Sequence, residues 1–454
     1  GIFGRINYDY KGIYLLEFSA RGDASSKFPS HSQWAFFPSG SVGYRLSEEP
    51  YFQEAKNYVS NLKVRASYGT IGNQEIGSYM FLETMNKGQV GWLGDTDSKY
   101  YYFGTPNLVS PTLTWETIAT ANVGIDLGFF NNDLNINFDW YQRDTKDMLA
   151  PGAALPQVLG TSAPYMNAGS LRTRGWELNI DWRHVFHDAG DLAVHANFNL
   201  ADYKATIMDW DSNNLVNTNY AGKEYGEIWG FETDRYFTPE DFNADGSYKQ
   251  ELDADGNYVS GTADQSLLES GDFKYGAGDV KFVDQNGDGK IDWGEGTVED
   301  HGDLVKIGNS TPRFQYSFRL GAEWTGLDID LFFQGVGKRD MWTQSAFVMP
   351  MTRGVDAIYA SQMDYITNDE VAAGTIRQDA DYPRLYGGGA GQGNASSSIM
   401  DAGKFNFYPQ DKYLVNMAYL RLKNLTVGYT LPQKWTRKAT IEKVRIYASF
   451  NNLA

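Results

Sequence analysis

Residues 313–334 read RFQYSFRLGAEWTGLDIDLFFQ. Every second residue is apolar in Phe314, Tyr316, Phe318, Leu320, Ala322 and Trp324. Arg313, Gln315, Ser317, Arg319, Gly321 and Glu323 lie between them. After the dipeptide Thr325-Gly326 the alternation resumes with Leu327, Ile329, Leu331 and Phe333 against Asp328, Asp330 and Gln334. A period of two places successive side chains on opposite faces of a strand, so this is a hairpin with one apolar and one wet face.

The same rhythm recurs along the chain. Val123, Ile125, Leu127 and Phe129 alternate with Asn122 and Asp126, and Leu134, Ile136, Phe138 and Trp140 with Asn135, Asn137 and Asp139. Trp176, Leu178, Ile180 and Trp182 oppose Glu177, Asn179, Asp181 and Arg183. About twelve strands are predicted, near 1–10, 13–22, 36–46, 61–71, 113–129, 134–147, 174–184, 191–207, 312–324, 327–337, 417–430 and 443–452. The links between them alternate short and long, the longest being 208–311 and 338–416. YFQEAKNYV in the 47–60 link reads as one or two helical turns. Short turns on one side and long loops on the other are the layout of an outer-membrane barrel.

A soluble antiparallel sandwich also shows one polar face per strand. Strands of about 10–14 residues suit a tilted membrane crossing better. Tyr8, Tyr10, Tyr44, Trp140, Tyr141, Trp182, Trp324 and Tyr429 cluster at strand ends as an interfacial girdle would. Glu17, Arg21, Arg183 and Arg319 on the polar face suit a wet lumen. In lipid, unpaired backbone groups cost several kcal/mol, so strands are tolerated there only in a closed barrel. The expected fold class is therefore all-β: a transmembrane antiparallel barrel wall with long extracellular loops. The chain opens and ends in a strand pattern, and is read as a segment of a longer polypeptide.

Composition narrows the function. The chain has 454 residues, 57 acidic against 39 basic groups, a formal charge of −18 and no Cys. The negative balance argues against nucleic acid as partner. The missing Cys excludes disulfides, thiolate metal sites and cysteine nucleophiles. No apolar run reaches the ~18–20 residues of a membrane-spanning helix. With 26 Phe, 30 Tyr, 12 Trp and 48 Gly the chain leans toward β structure.

Several stretches resemble SusC/RagA-type TonB-dependent outer-membrane transporters. They are GIFGRINYDYKGIYLLEFSARGDASSKF (1–28), WAFFPSGSVGYRLSEE (34–49), LKVRASYGTIGNQ (62–74), LTWETIATANVGIDLGFFNNDLNINFDWYQRDTKDML (113–149) and NAGSLRTRGWELNI (167–180). GDVKFVDQNGDGKID (278–292), IGNSTPRFQYSFRLGAEWTGLDIDLFFQGVGKRDMW (307–342) and YLRLKNLTVGYTLP (419–432) complete the set. Nearly the whole chain is covered in the family's order. The resemblance implies a plugged barrel of about 22 strands in the bacterial outer membrane. It implies import of an oligomeric nutrient energised through TonB, and a SusD-like surface lipoprotein as lid. The plug has no counterpart in this sequence. A glycan is the expected cargo and an oligopeptide the runner-up within the family. A soluble calcium-dependent adhesin and an outer-membrane enzyme barrel are alternatives of other classes.

The sharpest local motif is DQNGDGKIDWGE, residues 284–295. Asp284, Asn286, Asp288, Gly289 and Glu295 match the first, third, fifth, sixth and twelfth positions of a calcium loop. Lys290 would offer its carbonyl, and Asp292 could ligate, often through water. The bland reading is an acidic Asp-Gly turn. Asp241, Asn243, Asp245 and Gly246 begin alike but place Leu252 where the bidentate acid belongs. The 208–311 segment holds 23 acidic and 7 basic residues and is expected on the outer side.

No catalytic motif is present, and no enzyme activity is expected. GGGAGQGNASSS at 387–398 lacks the lysine of a phosphate-binding loop and reads as a surface loop. Substrate-contact candidates are Trp92, Tyr101 within Tyr100–Tyr102, Trp342 and Tyr386. Packing within the loops is the competing explanation for each.

Overall fold

A computed structural model describes all residues except 91–99, 153–154, 211–213, 272, 352–357, 387–401 and 454. Trp92 and the glycine-rich stretch 387–398 lie outside the described residues. The dominant element is a twelve-stranded sheet in which each strand pairs antiparallel with the next. Its strands are β1 (Ile2–Tyr10), β2 (Tyr14–Ala24), β3 (Trp34–Arg45), β4 (Val59–Asn73), β5 (Glu116–Phe129) and β6 (Leu134–Pro151). They continue with β7 (Tyr165–Phe186), β8 (Leu192–Trp210), β9 (Arg313–Trp324), β10 (Leu327–Lys338), β11 (Tyr419–Thr430) and β12 (Arg445–Leu453). No described helix is long and apolar enough to cross a membrane. That does not bear on crossing by strands.

Register carries the alternation from strand to strand. On one face Phe18 meets Ile6, Leu16 meets Val42, Val42 meets Ala66, Ala66 meets Val123 and Val123 meets Trp140. Further along, Ile180 meets Phe198, Phe198 meets Phe318, and Phe318 meets Phe333. A slip of one residue anywhere would put one strand's apolar set on the polar face, so the pattern fixes the register. The result is a continuous apolar belt with aromatics at its margins. Tyr14 and Tyr44 stack at 5.1 Å on the short-turn margin. Trp140 and Trp176, paired in register, mark the long-loop margin.

The short turns follow from local chemistry. Thr325 and Gly326 both adopt positive φ, 47° and 91°, as does the pair Lys11 and Gly12 at 56° and 68°. Two consecutive left-handed residues form the turn whose twist matches a hairpin. The 47–60 link holds three single 3₁₀ turns, Leu46–Glu48, Pro50–Phe52 and Ala55–Asn57.

All twelve expected strands are present, and the largest differences lie at their outer ends. β7 starts at Tyr165 and β6 runs to Pro151. Beyond Trp140 and Trp176 the outward residues become polar (Gln142, Asp144, Arg172, Arg174), so the apolar signal stops while pairing continues. Register shifts between Thr145 and Leu149 blur it further.

The two longest loops are not simply solvated. They fold together around a core of their own. Phe231, Tyr236, Phe237, Leu268, Phe282 and Ile291 come from the first loop, and Met349, Ile366, Phe405, Phe407 and Tyr413 from the second, all buried. The backbone N–H of Phe231 donates to the Pro409 carbonyl at 2.8 Å, tying one loop to the other.

Candidate functional site

The polar face of the sheet is lined by ion pairs that step over glycine. Arg65 on β4, Gly124 on β5 and Asp139 on β6 lie in register. Arg65 reaches across β5 to grip Asp139 with two bonds of 2.6 Å, and its Nε donates to Asp126 at 3.2 Å. A Cβ at Gly124 would stand 2.6 Å from the guanidinium carbon, so only glycine leaves the passage open. The device repeats at His195, Gly321 and Asp330 on β8, β9 and β10. There His195 Nε2 and Asp330 lie 3.1 Å apart, Arg319 donates to Asp330 at 2.7 Å, and a Cβ at Gly321 would come within 2.2 Å of the imidazole. Bidentate arginine–carboxylate pairs fix geometry as well as charge.

Between these pairs lies a neutral strip. Asn179 donates to Asn199 at 2.6 Å, and Asn199 donates to Asn197 at 2.6 Å and to Ser317 at 3.3 Å. Asn137, Asn179, Asn199, Gln315, Ser317 and Gln334 border a groove of about 290 Å³, which Asp139 and Glu177 also line. Amides and hydroxyls there present donors and acceptors, beside the Glu177 carboxylate and Asp139 held by Arg65, chemistry that matches hydroxyl-rich or amide-rich ligands.

The loop unit carries a second polar centre, at its junction. Asp279, wholly buried, accepts from Arg384 Nη2 at 2.6 Å, Tyr386 Oη at 2.7 Å, the Gly276 N–H at 2.9 Å and Asn406 Nδ2 at 2.8 Å. Arg384 also bonds the Tyr386 hydroxyl. Burial and the Asp279 charge push the Tyr386 hydroxyl far above the ordinary phenol range. A further pair, Asp241 with Arg235 at 2.6 and 2.7 Å, lies within the first loop. Burial alone would raise Asp241, but Arg235, the Thr238 N–H and the Thr262 hydroxyl outweigh it and hold its carboxyl well below the usual range.

The expected calcium residues occupy a tight turn. Asp284 accepts from the N–H groups of Gly287 at 2.6 Å and Gly289 at 2.9 Å, and Asp288 accepts from Lys290 N–H at 2.9 Å. Asn286 Oδ1 accepts from Asp288 N–H at 3.0 Å. Gly289 sits at φ 80°, and a Cβ there would strike Tyr258 at 2.2 Å. Buried Asp303 braces the turn, accepting from the N–H groups of Gln285 and Asp292, both at 2.8 Å. Sequence spacing alone could not flag Asp303, since it lies past the motif's end. Glu295 is exposed. Among the described residues, no three acidic, His or Cys side chains converge as a metal-holding group.

The aromatic candidates separate. Tyr101 lies exposed on a short hairpin, Lys87–Val90 with Tyr100–Phe103, where Lys87 Nζ sits 3.7 Å from its ring centre. Trp342 and Tyr386 are half-buried and pack against the loop core. Four consecutive exposed aromatic or tyrosyl residues (100–103) lack alternation, so the hairpin was not legible as a strand pair.

Comparison with known proteins places this architecture. Residues 1–453 match the family model described as TonB dependent receptor-like, beta-barrel. TonB-dependent receptor P3 of Formosa agariphila is 27% identical over 464 residues, covering 100% of this chain and 40% of that protein. TonB-dependent receptor SusC of Bacteroides thetaiotaomicron is 26% identical, covering 99% of this chain and 40% of SusC. The RagAB peptide transporter structure superposes with a TM-score of 0.70 at 24% identity, covering 100% of this chain and 43% of that one, a likeness of fold. This chain thus spans about 40% of the length of these curated relatives. The relatives are receptors and not enzymes. With an apolar outer belt, a polar inner wall and this match along its length, the chain belongs to the TonB-dependent receptor β-barrel family of the bacterial outer membrane.

Proposed function

We propose that this chain forms wall and outer loops of a TonB-dependent importer for an oligomeric nutrient, a glycan in the first instance. In this reading a plug outside this sequence couples to TonB, further strands close the barrel, and a SusD-like surface lipoprotein covers the loops. The observation that carries it is the polar inner face, where a neutral asparagine and serine strip runs between fixed ion pairs. Sugars are uncharged and rich in hydroxyls, and the amides and hydroxyls of that strip offer matched donors and acceptors, with the Glu177 carboxylate beside them as a further acceptor for sugar hydroxyls. Oligopeptide cargo is the second reading, because the same amides would also serve peptide groups.

Mass spectrometry of material released from the full-length receptor, purified with its lipoprotein from native membranes, decides between them. Hexose-based oligomers are expected. Peptides in their place would overturn the glycan assignment, and transport lost equally for every oligomer on deleting the receptor gene, without any enrichment of bound cargo, would count against import by selective binding.

We further propose that Asp284, Asn286, Asp288, the Lys290 carbonyl and Asp292 bind calcium, with Glu295 joining on closure of the turn. The donor set is all oxygen, as calcium requires, and the two left-handed glycines give the turn its curvature. Outside the cell calcium stands at about millimolar levels, enough to fill a weak site. Proteolysis of the 208–311 segment should therefore accelerate on chelation and in Asp288→Ala. Equal cleavage with and without calcium would remove the site.

A further inference from the structure

The groove on the inner face contains a carboxylate that the wall does not neutralise. Glu177 on β7 stands directly opposite Asp139 on β6, and Ala201 and Gln315 continue that level across β8 and β9. The cation at this level is Arg65, already divided between Asp139 at 2.6 Å and Asp126 at 3.2 Å. Lys63, opposite Asp126, bends the other way, its Cε lying over Gly43 on β3. Like charges directly opposite one another repel, and of this pair only Asp139 is answered. Glu177 is exposed, with neither ion pair nor hydrogen bond among the described residues. Arg143, two inward positions further out on β6, makes no ion pair among the described residues either.

Further along the same face, Asp330 takes Arg319 and His195, and Asp328 takes Arg445. Glu323 lacks an ion pair among the described residues, but it lies at the short-turn end of β9, away from the groove. Glu177 instead lines the cavity of about 290 Å³ together with Asn179, Asn199 and Gln315. One step outward the Tyr141 ring lies across Gly175 toward Tyr203. A Cβ at Gly175 would stand 2.6 Å from that ring and 2.9 Å from Tyr203. Trp176, the neighbour of Glu177 in the chain, belongs to the long-loop margin, so Glu177 lies at the outer mouth of the wall. A carboxylate beside an aromatic ring suits an ammonium group, which it takes through a charge-assisted hydrogen bond while the ring adds cation–π attraction.

We propose that this groove selects cargo bearing a primary ammonium group, and that Glu177 is the residue that distinguishes such cargo from its uncharged counterpart. The inference rests on the import reading above and sharpens its cargo. Under the glycan reading the ammonium belongs to a de-N-acetylated amino sugar, and under the second reading to a lysine side chain. In both, it donates to Glu177 beside the Tyr141 ring while neighbouring hydroxyls or amides pair with Asn179, Asn199 and Gln315. An N-acetyl group in its place brings no charge, and its neutral N–H is the weaker donor.

The test measures binding to the full-length receptor purified with its lipoprotein, at about pH 5.5, where carboxylates and amines are both ionised. One pair of probes is a glucosamine tetramer and its fully N-acetylated form. The other is a lysine-containing tetrapeptide with blocked ends and its Nε-acetyl-lysine form. In one of these pairs the amine should bind about ten-fold more tightly than its acetylated partner, the factor carried by a hydrogen bond to a charged group. The pair that shows the preference identifies the source of the ammonium. Glu177→Gln keeps the shape and breaks no ion pair, and should make the two affinities of that pair equal by weakening the amine alone. Glu323→Gln should keep the preference. Heat-modifiable mobility on gels checks that each variant is folded. Parent-like preference in a folded Glu177→Gln would overturn the proposal, because Glu177 would then answer to another part of the receptor. So would equal affinities within both pairs, or a preference that Glu323→Gln also abolishes, which would make it a property of the wall's overall charge. Should the parent bind no member of either pair, amine-bearing cargo is excluded, while import of other oligomers stands or falls on the cargo released from native membranes.

Discussion

Asp279→Ala should unfold the joined outer loops while leaving the twelve-stranded sheet intact. Asp279 is buried completely, and its carboxylate receives Arg384 and Tyr386 from the second long loop and Asn406 from the segment that returns toward β11. Its partner Arg384 is largely covered, and its Nε is buried with no hydrogen-bond partner among the described residues. Removing the carboxylate leaves a guanidinium in a site built for an ion pair. Breaking such a pair from one side costs about 3–5 kcal/mol, because the stranded charge keeps its desolvation penalty. Nearby, Phe273 stacks on Phe405 at 4.8 Å, so loss of the polar centre would also loosen aromatic packing between the loops. Limited proteolysis should show cleavage in residues 208–311 and 338–416 at rates the parent does not approach, with the sheet still shifting on heating. Asp279→Asn keeps the shape and two acceptor lone pairs, and should cost less than half as much. Parent-like resistance in Asp279→Ala would show that the two loops hold together without this centre.

The second large effect is on the belt. Phe318 sits mid-strand in β9, level with Phe198 on β8 and Phe333 on β10, and stacks on Phe333 at 4.5 Å and 16°. Arginine or lysine at the midplane of a barrel's lipid face costs about 2–4 kcal/mol. Phe318→Arg in the full-length receptor should therefore lower its folding free energy in bilayers by about that amount. The neighbouring position already holds Arg319, exposed on the other face and paired with Asp330 at 2.7 Å. The sheet thus carries an arginine without difficulty one residue away. Ser317→Arg, on the inner face, should cost well under half as much as Phe318→Arg. Equal penalties would contradict a lipid-facing Phe318.

How much of this was legible follows from what writes a signal. The belt did, because each strand must repeat apolar residues at every second position to face lipid, and Phe314 to Trp324 shows it plainly. Short turns did too, through Thr325-Gly326 and Lys11-Gly12. Above the membrane that constraint lifts, and so the starts of β7 at Tyr165 and the end of β6 at Pro151 were missed. The loop core was missed for a different reason. Its residues, Phe231, Phe282, Phe405 and Tyr413 among them, meet across long separations and follow no period. The density of aromatics in 208–311 was a usable clue, since a loop of that length inside an ordered protein needs packing of its own. The glycines at 124 and 321 were equally silent, because their meaning appears only when three strands stand in register. In the calcium-like turn the motif was readable, whereas the bracing role of Asp303 depends on the fold.

The central claim is that one face of this sheet touches acyl chains while the other stays wet. Fluorescent labels placed singly at positions 318, 319, 330 and 331 of the full-length receptor, in bilayers of lipids brominated along their chains, test it most directly. Strong quenching at 318 and 331, with little at 319 and 330, is the expected result. Quenching that ignores this alternation, or none at 318 and 331, would contradict a membrane wall.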